Sequence, residues 1–411
     1  MYLIEPVKTK KQLKQFVKFQ LDLYKGCEYF VPPFASDEML NLDPSRSPYQ
    51  RSGATAQCFL CRDNSGRIVG RVCGIVSHLY NEKNNEKRVR VSRFDCIDDA
   101  EVAKLLFEAV ENWGREQGME EIHGPLGFTD MEREGLLIEG FDTISTLNTQ
   151  YYYPYFEKMF VDNGYQKEVD WIEYRFWRTK SSDARTGRLS DTIEKRAGIH
   201  ELEIKSIPWL IKNYYDEIFD VLDEAYGSLY GTVPITQDIR ESVVGQFKLI
   251  LKKDLISILV DENERVVGVG ILMPSIAQSV HDCNGKLFPF GWMKVLHELN
   301  HPKALEMLLI GVKKEYKDKG ITSIIFHHIL DRIAKHYDDI DFCETNLQLE
   351  ENYKVQQLFT KAFDTKQMRR RRCYCKSLTD KPVHIKKCFA EEDRAMEVAP
   401  QESVEEANTQ E

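Results

Sequence analysis

A basic turn with one glycine holds the residues whose types and spacing are best suited to chemistry. Residues 317–322 read Lys-Asp-Lys-Gly-Ile-Thr, after an apolar segment at 308–312 and before a helix-like pattern at 321–336. Free amide groups and the helix dipole at such a position stabilise an anion, and lysines add charge suited to a pyrophosphate. A glycine permits close approach of the backbone. The predicted phosphate contacts are Lys317, Lys319, Gly320, Ile321 and Thr322, and Gly311 and Val312 on the preceding strand are further predicted ligand contacts.

This order of strand, basic turn and helix resembles the GNAT motif, in which a strand bearing valine is followed by Arg/Gln-x-x-Gly-x-Gly/Ala. Here Lys317 replaces the arginine or glutamine and Thr322 replaces the last small residue. In GNAT proteins the next strand splays away to open a slot for the pantetheine arm of CoA, and the helix after it often begins with Asn-x-x-Ala. Residues 341–345 resemble that strand and Asn352 begins that helix. The resemblance implies acyl-CoA as co-substrate, with Asn352 as a further contact. An ordinary α/β loop with solubilising lysines is the alternative.

The resemblance also implies direct attack of an amine on an acyl thioester, without a covalent enzyme intermediate. Such a reaction needs a base, an acid and donors to the oxyanion. The backbone amides of residues 311–312 are the expected oxyanion donors, and Glu306 and Glu344 are the candidate bases. GNAT enzymes often use a tyrosine seven residues after the helix asparagine as the acid. Phe359 stands at that position here, so the candidate acids are Tyr353 and water.

The elements that would position these residues occur twice along the chain. In the first half, strands at 57–62, 68–77 and 88–96 precede a helix at 100–117 and a strand at 122–126. In the second half, helices at 209–226 and 239–252 precede strands at 256–260, 266–272 and 304–312, a helix at 321–336, a strand at 341–345, a helix at 352–363 and a strand at 369–376. The fold class expected is therefore α/β, with tandem GNAT-like domains, each a mixed, mostly antiparallel sheet flanked by helices.

The domain boundaries follow from this repeat and from composition. Residues 1–178 are expected to form a degenerate GNAT-like domain, 179–198 a linker, and 199–380 a GNAT domain with the acyl-CoA site. The remainder, 381–411, is expected to be an acidic disordered tail, because residues 389–411 hold eight acidic residues and one basic residue with few large apolar ones.

The first half lacks a phosphate-binding turn. At the corresponding position it reads Ile97-Asp98-Asp99-Ala100, which is acidic and free of glycine. Two carboxylates at the start of a helix would repel a pyrophosphate. The sequence therefore predicts one cofactor site per chain, with the first half shaping the acceptor site or the pairing of the two halves.

Three further segments carry unusual composition. The glycine-bracketed stretch 135–141 and the aromatic stretch 151–156 either line an apolar substrate channel or form the core of their own domain, and the acceptor surface is the function expected of them. The arginine run 369–372 either meets lipid headgroups or the 3′-phosphate of CoA, or lies solvated at a sheet edge. Alternate arginines of a strand point to opposite faces.

Bulk properties limit partners and location. The net charge of the 411 residues is −10, which argues against a nucleic-acid partner, and no apolar run reaches the roughly 20 residues of a membrane span. The scattered cysteines predict no metal site. The expected location is cytoplasmic, with peripheral contact at the inner membrane as an open option, and the oligomeric state is undetermined.

The whole chain also resembles one more particular group, the YghO-like family of bacterial proteins, which includes the bacterial ceramide synthases. The matching segments are 30–33, 69–72, 98–103, 124–127, 134–142, 151–155, 287–292 and 349–352. Their order covers roughly residues 10–378. Where the family usually has a tryptophan before Leu-Glu-x-Asn, this chain has Leu347, which points to a different acceptor.

That resemblance implies an acyl-CoA-dependent N-acyltransferase acting on a primary amine. The acceptor is a small molecule or a lipid amine, with a sphingoid base as the particular candidate. Two alternatives stay open: a non-catalytic acyl-CoA-binding protein, and a Fem-like transferase that uses charged tRNA. The Fem-like transferase would need a basic groove and commonly a coiled-coil arm, and neither is visible in the sequence.

Overall fold

The structure is a computed structural model that describes residues 1–177, 190, 192–337 and 339–386. Fourteen strands of these residues form one continuous sheet. Most of the predicted linker, and the predicted acidic tail beyond residue 386, lie outside the described residues.

The N-terminal half alternates strands with helices. Its strands are β1 (Leu3–Pro6), β2 (Ala54–Arg62), β3 (Ile68–Ser77), β4 (Arg88–Cys96), β5 (Glu121–Gly124), β6 (Leu136–Glu139) and β7 (Gln166–Trp177). Its helices are α1 (Lys10–Leu23), α2 (Ala35–Leu42), α3 (Pro48–Arg51), α4 (His78–Asn84), α5 (Ala100–Glu116) and α6 (Tyr155–Asp162). The apolar face of α5, with Val102, Leu106 and Val110, is fully buried in the core of this half, because these residues recur at helical spacing.

The C-terminal half repeats the plan of the first. Its strands are β8 (Ile199–Glu201), β9 (Ile256–Asp261), β10 (Val266–Pro274), β11 (Ala304–Val312), β12 (Phe342–Glu344), β13 (Gln348–Leu349) and β14 (Asp364–Ser377). Its helices are α7 (Ile207–Tyr226), α8 (Gln237–Phe247), α9 (Ala277–Asp282), α10 (Gly291–Asn300), α11 (Ile321–His336) and α12 (Tyr353–Ala362). In both halves a hairpin, a third strand, a helix and a parallel strand follow one another, as the sequence predicted.

The last strand of each half lies in the sheet of the other half. The strand order is β1-β2-β3-β4-β5-β14-β7-β12-β11-β10-β9-β8. Thus β14 pairs with β5 of the N-terminal half, and β7 pairs with β12 of the C-terminal half. Only β4–β5 and β11–β12 are parallel among the described pairs, so the sheet is mixed and mostly antiparallel, as expected. The predicted domain boundaries stay a prediction, and the sheet crosses them.

The arginine run lies on β14 in the middle of the sheet. Arg369 and Arg371 are fully buried and pair with Glu173 of β7, at 2.7 and 2.6 Å. Arg370 points to the other face and pairs with Asp170 of β7 at 2.9 Å. The expectation that this run meets lipid or phosphate, or covers a sheet edge, was therefore wrong. The run holds the two exchanged strands together, and the expected alternation of faces is present.

The glycine-bracketed and aromatic segments belong to the core of the N-terminal half. Leu136, Leu137, Tyr151, Tyr152 and Phe156 are all buried in one apolar cluster there. The expectation that these segments form the acceptor surface was wrong for these side chains, since each packs against its own domain.

Candidate functional site

The site begins where β11 and β12 part. The two parallel strands pair from Ala304 and Phe342 to Glu306 and Glu344. Beyond Glu306, β11 continues to Val312 without β12 beside it. The register of β11 against β10 also shifts by one residue here, around Leu308, and such bulges are frequent beside active sites. β11 and β12 therefore separate beyond Glu306 and Glu344, and a slot opens between them.

This slot leads into a cavity of about 1030 Å³ that both halves line. The cavity includes six of the residues that the sequence singled out: Gly311, Val312, Lys317, Thr322, Asn352 and Tyr353. The structure thus brings together the end of β11, the basic turn and the start of α12.

The basic turn leaves the start of α11 open. Asp318 and Gly320 have positive φ angles of 64° and 79°, which bend the chain sharply into the helix. Gly320 is the N-cap residue of α11, and no side chain caps the helix among the described residues. The first amides of α11 are therefore available to an anion beside Lys317 and Thr322.

Two other predicted phosphate contacts lie at the edge of this arrangement. Lys319 is exposed and its Nζ lies 4.7 Å from the ring centre of Tyr316. Ile321 is 1% exposed and packs into the core under α11, so only its backbone amide can serve a ligand.

The equivalent helix of the N-terminal half is closed. The carboxylate of Asp99 accepts hydrogen bonds from the amides of Glu101 and Val102, at 2.9 and 3.2 Å, and caps α5. The slot beside β4 is also occupied, because the Leu126 amide donates to the carbonyl of Val91 at 2.9 Å. The N-terminal half therefore lacks the open helix start of the C-terminal half.

The two candidate bases are buried beside the cavity. Glu306 and Glu344 are each 5% exposed, and neither belongs to the described cavity lining. Burial raises the pKa of Glu306 to about 7, although its carboxylate accepts a 2.6 Å hydrogen bond from Ser275. Glu344 pairs with Arg175 and Arg369, at 2.6 and 2.5 Å, so its charge is already compensated.

The candidate acid and the helix asparagine lie at the start of α12. Tyr353 is 52% exposed and lines the cavity. Asn352 caps α12 by accepting a 3.4 Å hydrogen bond from the amide of Val355. Phe359 is fully buried with its ring 5.4 Å from that of Phe176. These roles stay predictions.

Tyr226, at the end of α7, is a cavity residue that the sequence did not reveal. Its hydroxyl donates to the carbonyl of Ile310 at 2.8 Å and accepts from the amide of Ile310 at 3.0 Å. Burial raises its pKa to about 12, so the hydroxyl stays protonated. The helical pattern of α7 gave no signal for this contact, because it depends on a strand 84 residues away.

Glu134, just before β6, is a second cavity residue that the sequence did not assign. It is 4% exposed, and its Oε1 has no hydrogen-bond partner among the described residues. A charged residue directly before an apolar, glycine-bracketed stretch was the available signal.

One cluster has the composition of a metal site. Atoms of His123, Glu168 and Cys373 lie within 4.8 Å of one another. Arg88 pairs with Glu168 at 2.5 Å, and the hydroxyl of Tyr230 donates to the same carboxylate at 2.6 Å. Both oxygens of the Glu168 carboxylate therefore already have a partner within the protein.

No protein-family model matches the sequence. The chain is 28% identical over 331 residues to Protein YghO of Escherichia coli (strain K12), which covers 79% of this chain and 82% of that protein. It is 27% identical over 321 residues to the Bacterial ceramide synthase of Caulobacter vibrioides, with 76% and 80% covered. Both are distant homologues, as the sequence motifs indicated.

Solved structures show the same fold. A tandem GNAT protein from the clavulanic acid biosynthesis pathway matches with a TM-score of 0.52 at 11% identity, over 93% of this chain and 100% of that one. A GCN5-related glucosamine N-acetyltransferase region of a fungal multi-domain protein matches with a TM-score of 0.54 at 14% identity, over 92% and 38%. The chain therefore has the tandem GNAT fold. Within the part of the chain that the structure describes, no helix is both long and apolar enough to cross a membrane.

Proposed function

We propose that this protein is an acyl-CoA-dependent N-acyltransferase that transfers an acyl group from a CoA thioester to a primary amine. The observation that carries the proposal is the uncapped start of α11, which opens with Lys317 and Thr322 onto the cavity. The equivalent helix of the N-terminal half, α5, differs because the side chain of Asp99 caps its start.

The chemistry follows from the order of groups along the cavity. The pyrophosphate of acyl-CoA binds at the amides of the basic turn, and the pantetheine arm lies in the slot beside β11, where the hydroxyl of Tyr226 bonds the backbone of Ile310. The amine nitrogen attacks the thioester carbonyl, a backbone amide of β11 stabilises the oxyanion, and the C–S bond breaks. The nitrogen loses one proton and the thiolate gains one, so the products are an amide and the CoA thiol.

The acceptor proposed is an amine with an apolar chain. The cavity wall includes Trp171, Leu229, Leu347 and Leu349, which belong to one apolar cluster. The homologue named as a ceramide synthase supports a sphingoid base as the first acceptor to test.

Replacing Thr322 by Asp tests the site. Thr322 is the second residue of α11, where a carboxylate favours the helix through its dipole but repels a pyrophosphate. We expect acyl-CoA affinity to fall at least about tenfold, as for a loss of roughly 1.4 kcal/mol, with an unchanged melting temperature. Isothermal titration calorimetry and thermal unfolding measure the two quantities.

The matched control is Ser36→Asp, at the second residue of α2 and exposed. It should leave acyl-CoA binding unchanged. Wild-type affinity and acyl transfer in Thr322→Asp would show that the site is assigned wrongly. Gly320 is a poorer position, because its φ angle of 79° strains any side chain.

An amine panel separates the proposed function from its alternatives. Purified protein is mixed with acyl-CoA and with short amines, long-chain amines or sphingoid bases, and amide products are measured by mass spectrometry. Tight acyl-CoA binding without any product would favour the non-catalytic binding protein, which the phenylalanine at position 359 keeps open. Product formed only from charged tRNA would favour the Fem-like transferase.

A further inference from the structure

The cavity reaches from the basic turn of the C-terminal half to an acidic loop of the N-terminal half. Asp130 and Glu134 both line it. Glu134 is almost completely buried, and its Oε1 lacks a hydrogen-bond partner among the described residues. A buried carboxyl oxygen without a partner destabilises the fold, so a ligand that donates a hydrogen bond to it is favoured.

The neighbouring carboxylate provides a contrast. Glu132 accepts hydrogen bonds from Arg93 at 2.9 Å and from the amide of Phe128 at 2.6 Å, which explains its place in the fold. In the described part of the chain, no donor of this kind bonds the Oε1 of Glu134. Its Oε1 faces Gly231, where an added Cβ would lie 3.3 Å away. Burial raises the pKa of Glu134 well above the usual carboxyl range.

We propose that Glu134, with Asp130 beside it, is the subsite for the acceptor amine and removes its proton. This rests on the proposed function, because the amine needs an acyl thioester to attack. The ammonium R–NH₃⁺ binds to the carboxylate and stabilises its ionised form. Glu134 takes one proton and leaves R–NH₂, whose nitrogen attacks the thioester carbonyl. The C–S bond breaks, the nitrogen loses a second proton to the thiolate through water, and Glu134 releases its proton to solvent.

Steady-state kinetics of Glu134→Gln tests this subsite. We expect the KM for the amine to rise and kcat to fall at least about tenfold, with unchanged affinity for acyl-CoA. The rate of the variant should rise with pH by about tenfold per unit until the free amine predominates, because the amine then needs no base. A purely structural role for Glu134 would not produce this rescue by pH.

Glu116→Gln, exposed at the end of α5, is the matched control and should behave as wild type. An unchanged amine KM and pH profile in Glu134→Gln would overturn the subsite. Failure of the wild-type protein to bind acyl-CoA or to form an amide would instead overturn the proposed function, so the two failures are distinguishable.

A second surface carries an independent inference. Of the eleven large apolar side chains that are strongly exposed among the described residues, five lie between positions 288 and 296, so this is a patch and not scatter. We call it the α10 patch, and it consists of Phe288, Phe290, Trp292, Met293 and Leu296, which are 44–82% exposed. The buried face of α10, with Val295 and Leu299, packs on the protein core and fixes the patch outward.

Exposed lysines outnumber exposed carboxylates near the α10 patch, where Asp282 is the exposed acidic residue, on a chain of net charge −10. Lys286 and Lys294 are exposed within the segment itself. Lys252, after α8, donates to Asn300 at the end of α10 at 2.9 Å, which places the loop 248–253 alongside. That loop contributes two more exposed lysines and Leu249, which is 82% exposed.

We infer that the α10 patch docks on a bilayer that contains anionic lipids. Tryptophan, phenylalanine and leucine favour the boundary between headgroups and acyl chains, and each nearby lysine is attracted to an anionic surface. A second copy of this basic patch would instead place lysines against lysines, so charge complementarity favours the lipid surface.

Vesicle flotation of the full chain tests the docking surface. We expect binding to vesicles of phosphatidylcholine with phosphatidylglycerol, little binding to phosphatidylcholine alone, and weaker binding at high salt. The double variant Phe288→Ser/Phe290→Ser should lose binding, whereas Val161→Ser, which removes an exposed apolar side chain elsewhere, should not. Retained flotation of the double variant, or a dimer that the double variant dissociates and that does not bind vesicles, would overturn the inference.

Discussion

The carboxyl group of Glu306 is expected to make stability depend on pH. Its folded pKa of about 7 lies above the ordinary 4.5, so between these values the folded protein holds a proton that the unfolded chain has released. Its contribution is therefore fully present below pH 4.5 and is lost as the pH rises through about 7, and it amounts to roughly 3 kcal/mol. Glu306→Gln should flatten this dependence when unfolding free energies by urea are compared at acidic and alkaline pH.

Glu262→Gln, exposed in the β9–β10 turn, is the control and should keep the wild-type dependence. If Glu306→Gln shows the same loss of stability with rising pH as wild type, the protonation of Glu306 is not its cause.

Single residues of the site differed in how far the sequence could predict them. Lys317 and Thr322 belong to one local turn, so the spacing of strand, turn and helix was enough to bring them to the cavity. Glu134 and Tyr226 meet the same cavity from distant parts of the chain, and local patterns hold no information about such contacts.

At the scale of elements, the apolar strands and the arginine-rich β14 were predicted from the sequence, whereas the charged strand β7 was not. β9, β10 and β11 are mostly apolar and appeared where the sequence placed them. β7 carries Asp170 and Glu173, which are both fully buried. Charged residues in a sequence indicate a solvated segment unless a partner of opposite charge is known. The partner strand is the arginine-rich β14. The acidic residues of β7 are buried because the arginines of β14 neutralise them.

The pairing of β7 and β14 could not be predicted from the sequence either. A duplicated fold predicts two sheets that each close on their own last strand, whereas here β7 and β14 are exchanged. The exchange depends on ion pairs between residues roughly 200 positions apart, such as Arg371 with Glu173. Neither half signals this preference by itself.

At the scale of the whole molecule, the halves should not fold separately. Residues 199–411 alone would leave β14 without its partner strands β5, β6 and β7, and β12 without β7. We expect this fragment to be insoluble or aggregated, because a long unpaired strand with buried charges is exposed. Coexpression with residues 1–198 should restore a soluble complex, measured by size-exclusion chromatography and circular dichroism.

A soluble, monomeric C-terminal fragment with cooperative unfolding would contradict this expectation. A full-length chain with a cleavable site inserted at residue 185 is the control, since cutting there leaves every described strand intact.

The exchanged strands also govern the order of events while the chain is being made. The N-terminal half leaves the ribosome first, but its sheet has a gap between β5 and β7 until residues 364–377 emerge. During that interval the edge of β5 is open to wrong partners, and such long-range pairing is slow. The first half is therefore completed only after the other strands of the second half have been made, and a product that stops before residue 364 would leave both halves of the sheet unfinished.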